Sequence, residues 1–243
     1  MSDDSFPEGQ FLSRRSFLKI LAAAGFTTAL APPRLLGNPG SVLPSDWPGP
    51  METRPIPSSG EQLPVVGLGT WQKFDVPQDP ALTKPLRSVL KRLTASGGSV
   101  IDTSPMYGQA ESVLGTLVEE MDLRDDVFLA TKVWTRGRRD GIQQMERSLE
   151  KLKVSTVDLM QVHNLVDWET HLETLRDWKD QGRIRYLGVT HYTRSAFDDL
   201  AHVIRNEPLD FVQLPYSLGF RDAENRLLPL AQERDVGVIV NRP

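Results

Sequence analysis

The chain has no cysteine among its 243 residues, which removes disulfides, thiolate metal sites and thiol nucleophiles from consideration. The count does not fix a compartment. Nor is there an apolar run long enough for a permanent membrane anchor, which takes about 20 residues; the stretch from Ile20 to Ala31 falls well short. No G-x-G-x-x-G turn follows any expected strand, so the glycine signature of an open dinucleotide-binding sheet is missing. Blocks of like charge are missing too. The 32 acids and 28 bases are spread along the sequence, for a formal charge of -4, which offers nothing to nucleic acid or an anionic membrane and leaves a small molecule as the better partner. No residue cluster suggests a metal.

What is present is the composition of a globular protein with a sizeable core, 39% hydrophobic and 25% charged. Ser13, Arg14, Arg15, Ser16, Phe17, Leu18 and Lys19 resemble the twin-arginine export motif, and Ala29-Leu30-Ala31 after the apolar run offers small residues around a cleavage point. An ordinary amphipathic helix is the competing reading. The export reading predicts a signal peptide over 1–31, recognised by the Tat machinery, and a periplasmic or extracellular destination. Because that pathway moves folded proteins, often with a cofactor already inside, it also predicts a cofactor-loaded enzyme. Pro, Gly and Ser crowd the segment after it, which reads as a linker over 32–50 before a folded body over 51–243.

In that body the hydrophobic period changes repeatedly between 2 and 3.6. Thr53 to Pro57 and Gln62 to Pro64 flank Ser58-Ser59-Gly60-Glu61 and predict a hairpin. Val65 to Trp71 reads as a buried strand whose glycines admit a close neighbour. Helices are expected over Ala81 to Thr94, Glu111 to Met121, Arg139 to Leu152, Glu169 to Gln181, Ser195 to Arg205 and Glu224 to Glu233. Strands are expected between them, at Ser99 to Thr103, Val127 to Lys132, Thr156 to His163, Ile184 to Thr190, Asp210 to Leu214 and Val236 to Val240. Such β/α alternation permits an open doubly wound sheet or a closed TIM barrel. The strand ends choose between them: Thr70, Asp102, Lys132, His163, Thr190, Gln213 and Asn241 form a series of polar termini, as at the C-terminal face of a (β/α)8 barrel.

Asp102, Tyr107, Lys132 and His163, each at or just beyond a strand end, resemble the catalytic tetrad of the aldo-keto reductases, which implies carbonyl chemistry. Hydride addition leaves a negative oxygen that needs a proton, and a tyrosine with an ordinary pKa near 10 releases one reluctantly at neutral pH. A buried Lys132 ammonium beside Tyr107 is expected to favour the phenolate and lower that pKa, with Asp102 keeping the lysine charged. His163 is left to hydrogen-bond and orient the substrate oxygen. Taken singly, each residue has a plainer reading as an ion-pair partner or packed side chain; the joint pattern is what carries the assignment.

The run V-G-L-G-T-W, I-D-T-S-P-M-Y-G, T-K-V-W, D-L-M-Q-V-H-N and L-G-V-T-H-Y, in register with the strands, resembles the aldo-keto reductases from Thr53 to Pro243. The resemblance implies an NADPH-dependent oxidoreductase that reduces aldehydes or ketones, with Asp102, Tyr107, Lys132 and His163 as its catalytic tetrad. It further implies that Gly69, Thr70 and Trp71 line the nicotinamide end and that Thr190, His191 and Gln213 bind the carboxamide. His191 stands where the family usually has asparagine. Asn241 falls where many members place a stacking aromatic, so Asn241 and Arg242 are expected to bind the cofactor by polar contacts instead. Asn164 either adds a polar contact or fills a turn. Trp71, Trp134 and Trp168 follow strand ends, where large aromatics either wall a pocket or cover the core. The body has seven expected barrel strands and fewer than the roughly 250 residues of a complete barrel. The eighth strand, whose flanking segment carries the family's adenosine-phosphate contacts, is therefore expected to be missing. An unclosed barrel exposes strand edges and is expected to be marginal or to associate. Two further readings remain: a cofactor-binding sensor or accessory subunit like the family's potassium-channel β-subunits, and a non-functional fragment.

Overall fold

A computed structural model describes residues 51–243. The export motif, its apolar run and the linker up to residue 50 lie outside the described residues. The body opens with the expected hairpin, β1 (Thr53–Pro55) antiparallel to β2 (Gln62–Pro64), turned by Gly60 at φ 77°. Seven parallel strands follow in sequential order: β3 (Leu68–Gly69), β4 (Val100–Asp102), β5 (Phe128–Val133), β6 (Val157–His163), β7 (Ile184–Thr190), β8 (Phe211–Pro215) and β9 (Gly237–Asn241). The helices between them are α1 (Pro80–Ala95), α2 (Ala110–Glu120), α3 (Arg138–Leu152), α4 (Trp168–Asp180), α5 (Phe197–Asn206) and α6 (Leu227–Glu233). Strand joined to neighbouring parallel strand by a helix is the repeat of a (β/α)8 barrel, here with seven barrel strands among the described residues. None of the helices there is long and apolar enough to cross a membrane.

Alternation along each strand sorts the core into two layers. Ile101, Leu129, Met160, Val162, Leu187, Val189, Val212 and Leu214 face outward and pack with the helices. Phe128, Ala130, Leu159, Tyr186 and Phe211 face inward and enclose Ile56 from the hairpin. The inner layer also shows how strongly the sheet curls. Phe128 on β5 and Phe211 on β8 are three strands apart, roughly 14 Å in a flat sheet at about 4.8 Å per strand, yet their ring centres are 6.2 Å apart. This curvature turns the C-terminal strand ends towards a common mouth.

Two expectations need correction. Val65 to Trp71 does not form a long buried strand: only Leu68–Gly69 pairs, and Val65, Val66 and Trp71 are 46%, 55% and 57% exposed. Among the described residues its sole ladder partner is β4, so one side of the segment has no strand there to bury it. What approaches Gly67 is that neighbour, since a Cβ there would lie 3.1 Å from Val100, whereas a Cβ at Gly69 would meet nothing within 4 Å. The helix expected over Glu224 to Glu233 is also broken, into a 3-10 turn at Asp222–Asn225 and α6, with Arg226 at φ -152°, ψ -50° between them. A continuous helix would set Pro229 against the carbonyl of Asn225. Starting at Leu227 places the proline in the first turn, where its missing N–H costs nothing.

Candidate active site

Three adjacent strands deliver the charged groups: Asp102 ends β4, Lys132 lies near the end of β5 and His163 ends β6. The side chain of Lys132 is only 1% exposed. A buried ammonium is tolerable only when paired and hydrogen-bonded, and this one donates to Asp102 Oδ2 at 2.7 Å and to the Thr103 carbonyl at 2.6 Å. Gln161, inward-facing on β6, donates from Nε2 to the other Asp102 oxygen at 3.2 Å. Tyr107 comes from the loop after β4, where the Tyr107 N–H bonds the Ser104 carbonyl and the Ala110 N–H bonds the Tyr107 carbonyl, each at 3.0 Å. These turns bring the phenol ring to 5.1 Å from the ammonium and edge-on to the His163 ring, with 6.1 Å between ring centres. All four candidate tetrad residues are thus brought together.

Burial pushes the Tyr107 pKa up; the Lys132 charge pulls it down and Asp102 pushes it up again, and the result is above the ordinary 10. The expected lowering by Lys132 is present but outweighed, because a phenolate in this half-enclosed position loses more hydration than one cation returns. The phenol therefore keeps its proton at neutral pH. Burial, then the positive charge of Lys132, then His191 hold the His163 pKa down to about 3, so its imidazole is neutral. The arrangement offers a protonated phenol and a neutral imidazole beside a fixed cation, groups suited to a carbonyl oxygen that becomes negative.

The Aldo/keto reductase family model matches residues 65–243. The chain belongs to the aldo/keto reductase family. It is 30% identical over 205 residues to aldo-keto reductase YhdN of Bacillus subtilis (strain 168), a match covering 78% of this chain and 61% of that relative. It is 31% identical over 200 residues to methylglyoxal reductase YeaE of Escherichia coli (strain K12), covering 79% and 69%. Among solved structures, an aldo-keto reductase from Klebsiella pneumoniae in complex with NADPH superposes with a TM-score of 0.66 at 27% identity, covering 76% of this chain and 65% of that one.

The cofactor candidates of this family member fall into two groups. Gly69 pairs with Asp102, and Thr70 bonds the Asp102 carbonyl through both its N–H at 3.0 Å and its Oγ1 at 3.1 Å. Thr70 is fully buried and serves there as a tie between β3 and β4, while Trp71 stands in the exposed turn beyond. The second group lies on β7 to β9. Thr190 Oγ1 donates to Gln213 Oε1 at 2.9 Å, which leaves the Gln213 NH2 available as a donor. His191 Nδ1 accepts from the Tyr192 and Thr193 N–H groups at 3.0 and 3.2 Å, and its ring lines a cavity of ≈ 350 Å³ with Asn164, Leu165, Trp168 and His202. Asn241 Nδ2 donates to the His191 carbonyl at 3.4 Å. Among the described residues no hydrogen bond joins the two groups.

Several supporting residues escaped the sequence reading. Ser104 Oγ lies 3.2 Å from His163 Nδ1. The loop after β5 is held by Gln144, which accepts from the Trp134 N–H and donates to the Trp134 carbonyl at 3.1 Å. His171 bonds the Thr135 carbonyl at 2.8 Å, and Asp167 Oδ2 accepts from the Gly137 N–H at 2.6 Å. That loop carries Trp134 to 6.4 Å from the His163 ring, centre to centre. Only Gln161 left a trace in the sequence: inward parity on β6 puts a polar residue two positions before His163.

Proposed function

We propose that this chain reduces aldehyde or ketone carbonyls to alcohols with NADPH, Tyr107 acting as the proton donor. The observation that carries this reading is the Lys132 ammonium, paired to Asp102 at 2.7 Å and lying 5.1 Å from the Tyr107 ring, beside a neutral His163. His163 donates a hydrogen bond to the substrate oxygen and orients the carbonyl. Tyr107 then passes its proton to that oxygen as it becomes an alkoxide, a base strong enough to take a proton even from a phenol of raised pKa. Lys132 stabilises the phenolate that remains, and Asp102 balances the lysine charge between turnovers.

The residues at the strand ends suit the nicotinamide end of the cofactor. Among the described residues Asn164 Oδ1 and Asn241 Oδ1 are buried acceptors without a donor, and an isolated buried acceptor is costly. A carboxamide supplies the missing N–H groups, and the Gln213 NH2 supplies a donor for its oxygen. Thr190, His191, Gln213 and Asn241 would hold that end, with Gly69, Thr70 and Trp71 along the opposite side. NADPH supplies the hydride when bound. The Klebsiella pneumoniae relative crystallised with NADPH supports this choice of cofactor. Twin-arginine export to the periplasm or beyond is proposed from Ser13 to Lys19 and the apolar run that follows.

The test compares the full chain with Tyr107→Phe, measuring NADPH binding and NADPH consumption over a panel of carbonyls. A general acid contributes roughly 10²- to 10⁴-fold, so the variant should lose that much turnover while binding NADPH nearly as before. Undiminished turnover in Tyr107→Phe would end the assignment. Binding without turnover in the wild type would favour the sensor reading, and neither activity would favour the fragment.

A further inference from the structure

The loop after β4 supplies a second group to the histidine, besides the tyrosine. Ser104 and His163 are both buried, at 0% and 7% exposure, and Ser104 Oγ lies 3.2 Å from His163 Nδ1. Backbone bonds hold the serine in place, from the Thr103 N–H to the Ala130 carbonyl at 2.8 Å and from the Tyr107 N–H to the Ser104 carbonyl at 3.0 Å. Since His163 is neutral, its ring carries one proton, and the partner of one nitrogen decides which nitrogen holds it. Among the described residues the Ser104 hydroxyl has no hydrogen-bond partner other than Nδ1. If Nδ1–H were the donor, the serine hydrogen would be buried with no acceptor, an unfavourable arrangement. If the serine donates, both groups are satisfied and the imidazole proton is on Nε2.

We propose that Ser104 is a positioning residue that donates to Nδ1 of His163 and thereby fixes the Nε2–H tautomer, the form that leaves Nε2 able to donate to a substrate carbonyl oxygen. The inference rests on the reading of His163 as the carbonyl-binding group. Its structural half, the tautomer, is measurable without turnover. In the full chain labelled with ¹⁵N-histidine, and with His163→Gln used to assign the resonances, His163 should show an unprotonated Nδ1 and a protonated Nε2 at neutral pH. Ser104→Ala should give averaged shifts of a mixed tautomer and a kcat about tenfold lower, with NADPH binding near normal. Ser104→Cys, a weaker donor, should fall between.

A protonated Nδ1 in the wild type would overturn the proposal before any variant is made. So would an Ser104→Ala protein with unchanged shifts, whatever its kcat, because the serine would then not set the tautomer. An Nε2–H histidine in a wild-type protein that turns over no carbonyl would instead leave the serine–histidine pair standing and remove the reductase reading.

Discussion

Where the strands begin, the buried acids are fully engaged; where they end, the polar groups are only partly so. Asp158 accepts from Arg185 at 2.7 Å, Arg124 at 3.2 Å and the Leu129 N–H at 2.8 Å, while Asp210 accepts from Lys179 at 2.6 Å and the Leu187 N–H at 2.9 Å. Glu61, from the hairpin turn, binds Arg185 and accepts from the Tyr186 hydroxyl at 2.6 Å. At the mouth, Thr103 Oγ1, Gln161 Oε1, Asn164 Oδ1 and Asn241 Oδ1 are buried without a partner among the described residues. Gln72, Asn164, Leu165, Asp167 and Arg242 hold positive φ in the loops there. Such strain and unmet hydrogen bonds suit a place that binds a ligand; positive φ also occurs at Asp122, Lys153 and Asp235, and unpaired buried atoms also occur at Glu111, Ser148, His171 and Arg176. The floor is therefore expected to govern stability and the mouth activity.

The largest effect should come from the floor. Asp158→Ala leaves the buried Leu129 N–H without its acceptor, which costs about 1–3 kcal/mol, and removes two ion pairs to arginines that are 43% and 36% exposed and keep Glu61 and the Val127 and Thr156 carbonyls, adding up to about 1 kcal/mol each. Urea unfolding should register that loss while kcat per folded molecule stays within a factor of two. A collapse of kcat at unchanged stability would dissolve the division between the two ends. The mouth should contribute to stability in one conditional way, through His163. Its folded pKa, about 3, lies below the ordinary 6.5, so the folded protein binds fewer protons than the unfolded chain between those values. The stabilisation is fully present above about pH 6.5 and is lost as pH falls towards 3, by an amount on the order of a few kcal/mol. Unfolding free energies measured across that window should fall with acidity, and His163→Gln should flatten the slope. A slope unchanged by that substitution would place the acid sensitivity elsewhere. For the same reason, kcat/KM for reduction should show no ionisation of His163 between about pH 5 and 8.

The sequence disclosed the mouth more fully than its supports. Asp102, Lys132 and His163 stand out because each interrupts or ends an apolar run that strand alternation turns inward, and their strands are adjacent. Tyr107 stands out because it follows Asp102 at a fixed short distance in a turn-forming loop. Ser104 and Gln144 do not, since hydroxyls and amides are common in loops and helices and their importance depends on what the fold brings opposite them. The raised Tyr107 pKa was hidden for a related reason: a sequence places a lysine near a phenol, but the balance between its charge and lost hydration depends on the depth of the ring. The short β3 escaped because a glycine-rich apolar run reads alike on an edge and in the middle of a sheet.

Gln144 offers the finest discrimination between the two ends. It lies on α3, away from the tetrad, and its amide engages both the N–H and the carbonyl of Trp134. Gln144→Ala releases both bonds while Asp167 and His171 still hold Gly137 and Thr135, so the loop should stay in place with a looser tryptophan. Two exposed hydrogen bonds are worth about 1–2 kcal/mol together. If the loop belongs functionally to the mouth, KM should also rise about five- to tenfold for bulky aromatic carbonyls, with kcat within a factor of two and the unfolding free energy lowered by no more than those two bonds. Gln144→Glu, which keeps the acceptor but loses the donor, should lie between. If Gln144→Ala lowers stability but leaves KM alone, Trp134 is only a cover for the core, and the loop belongs with the closed networks of the floor.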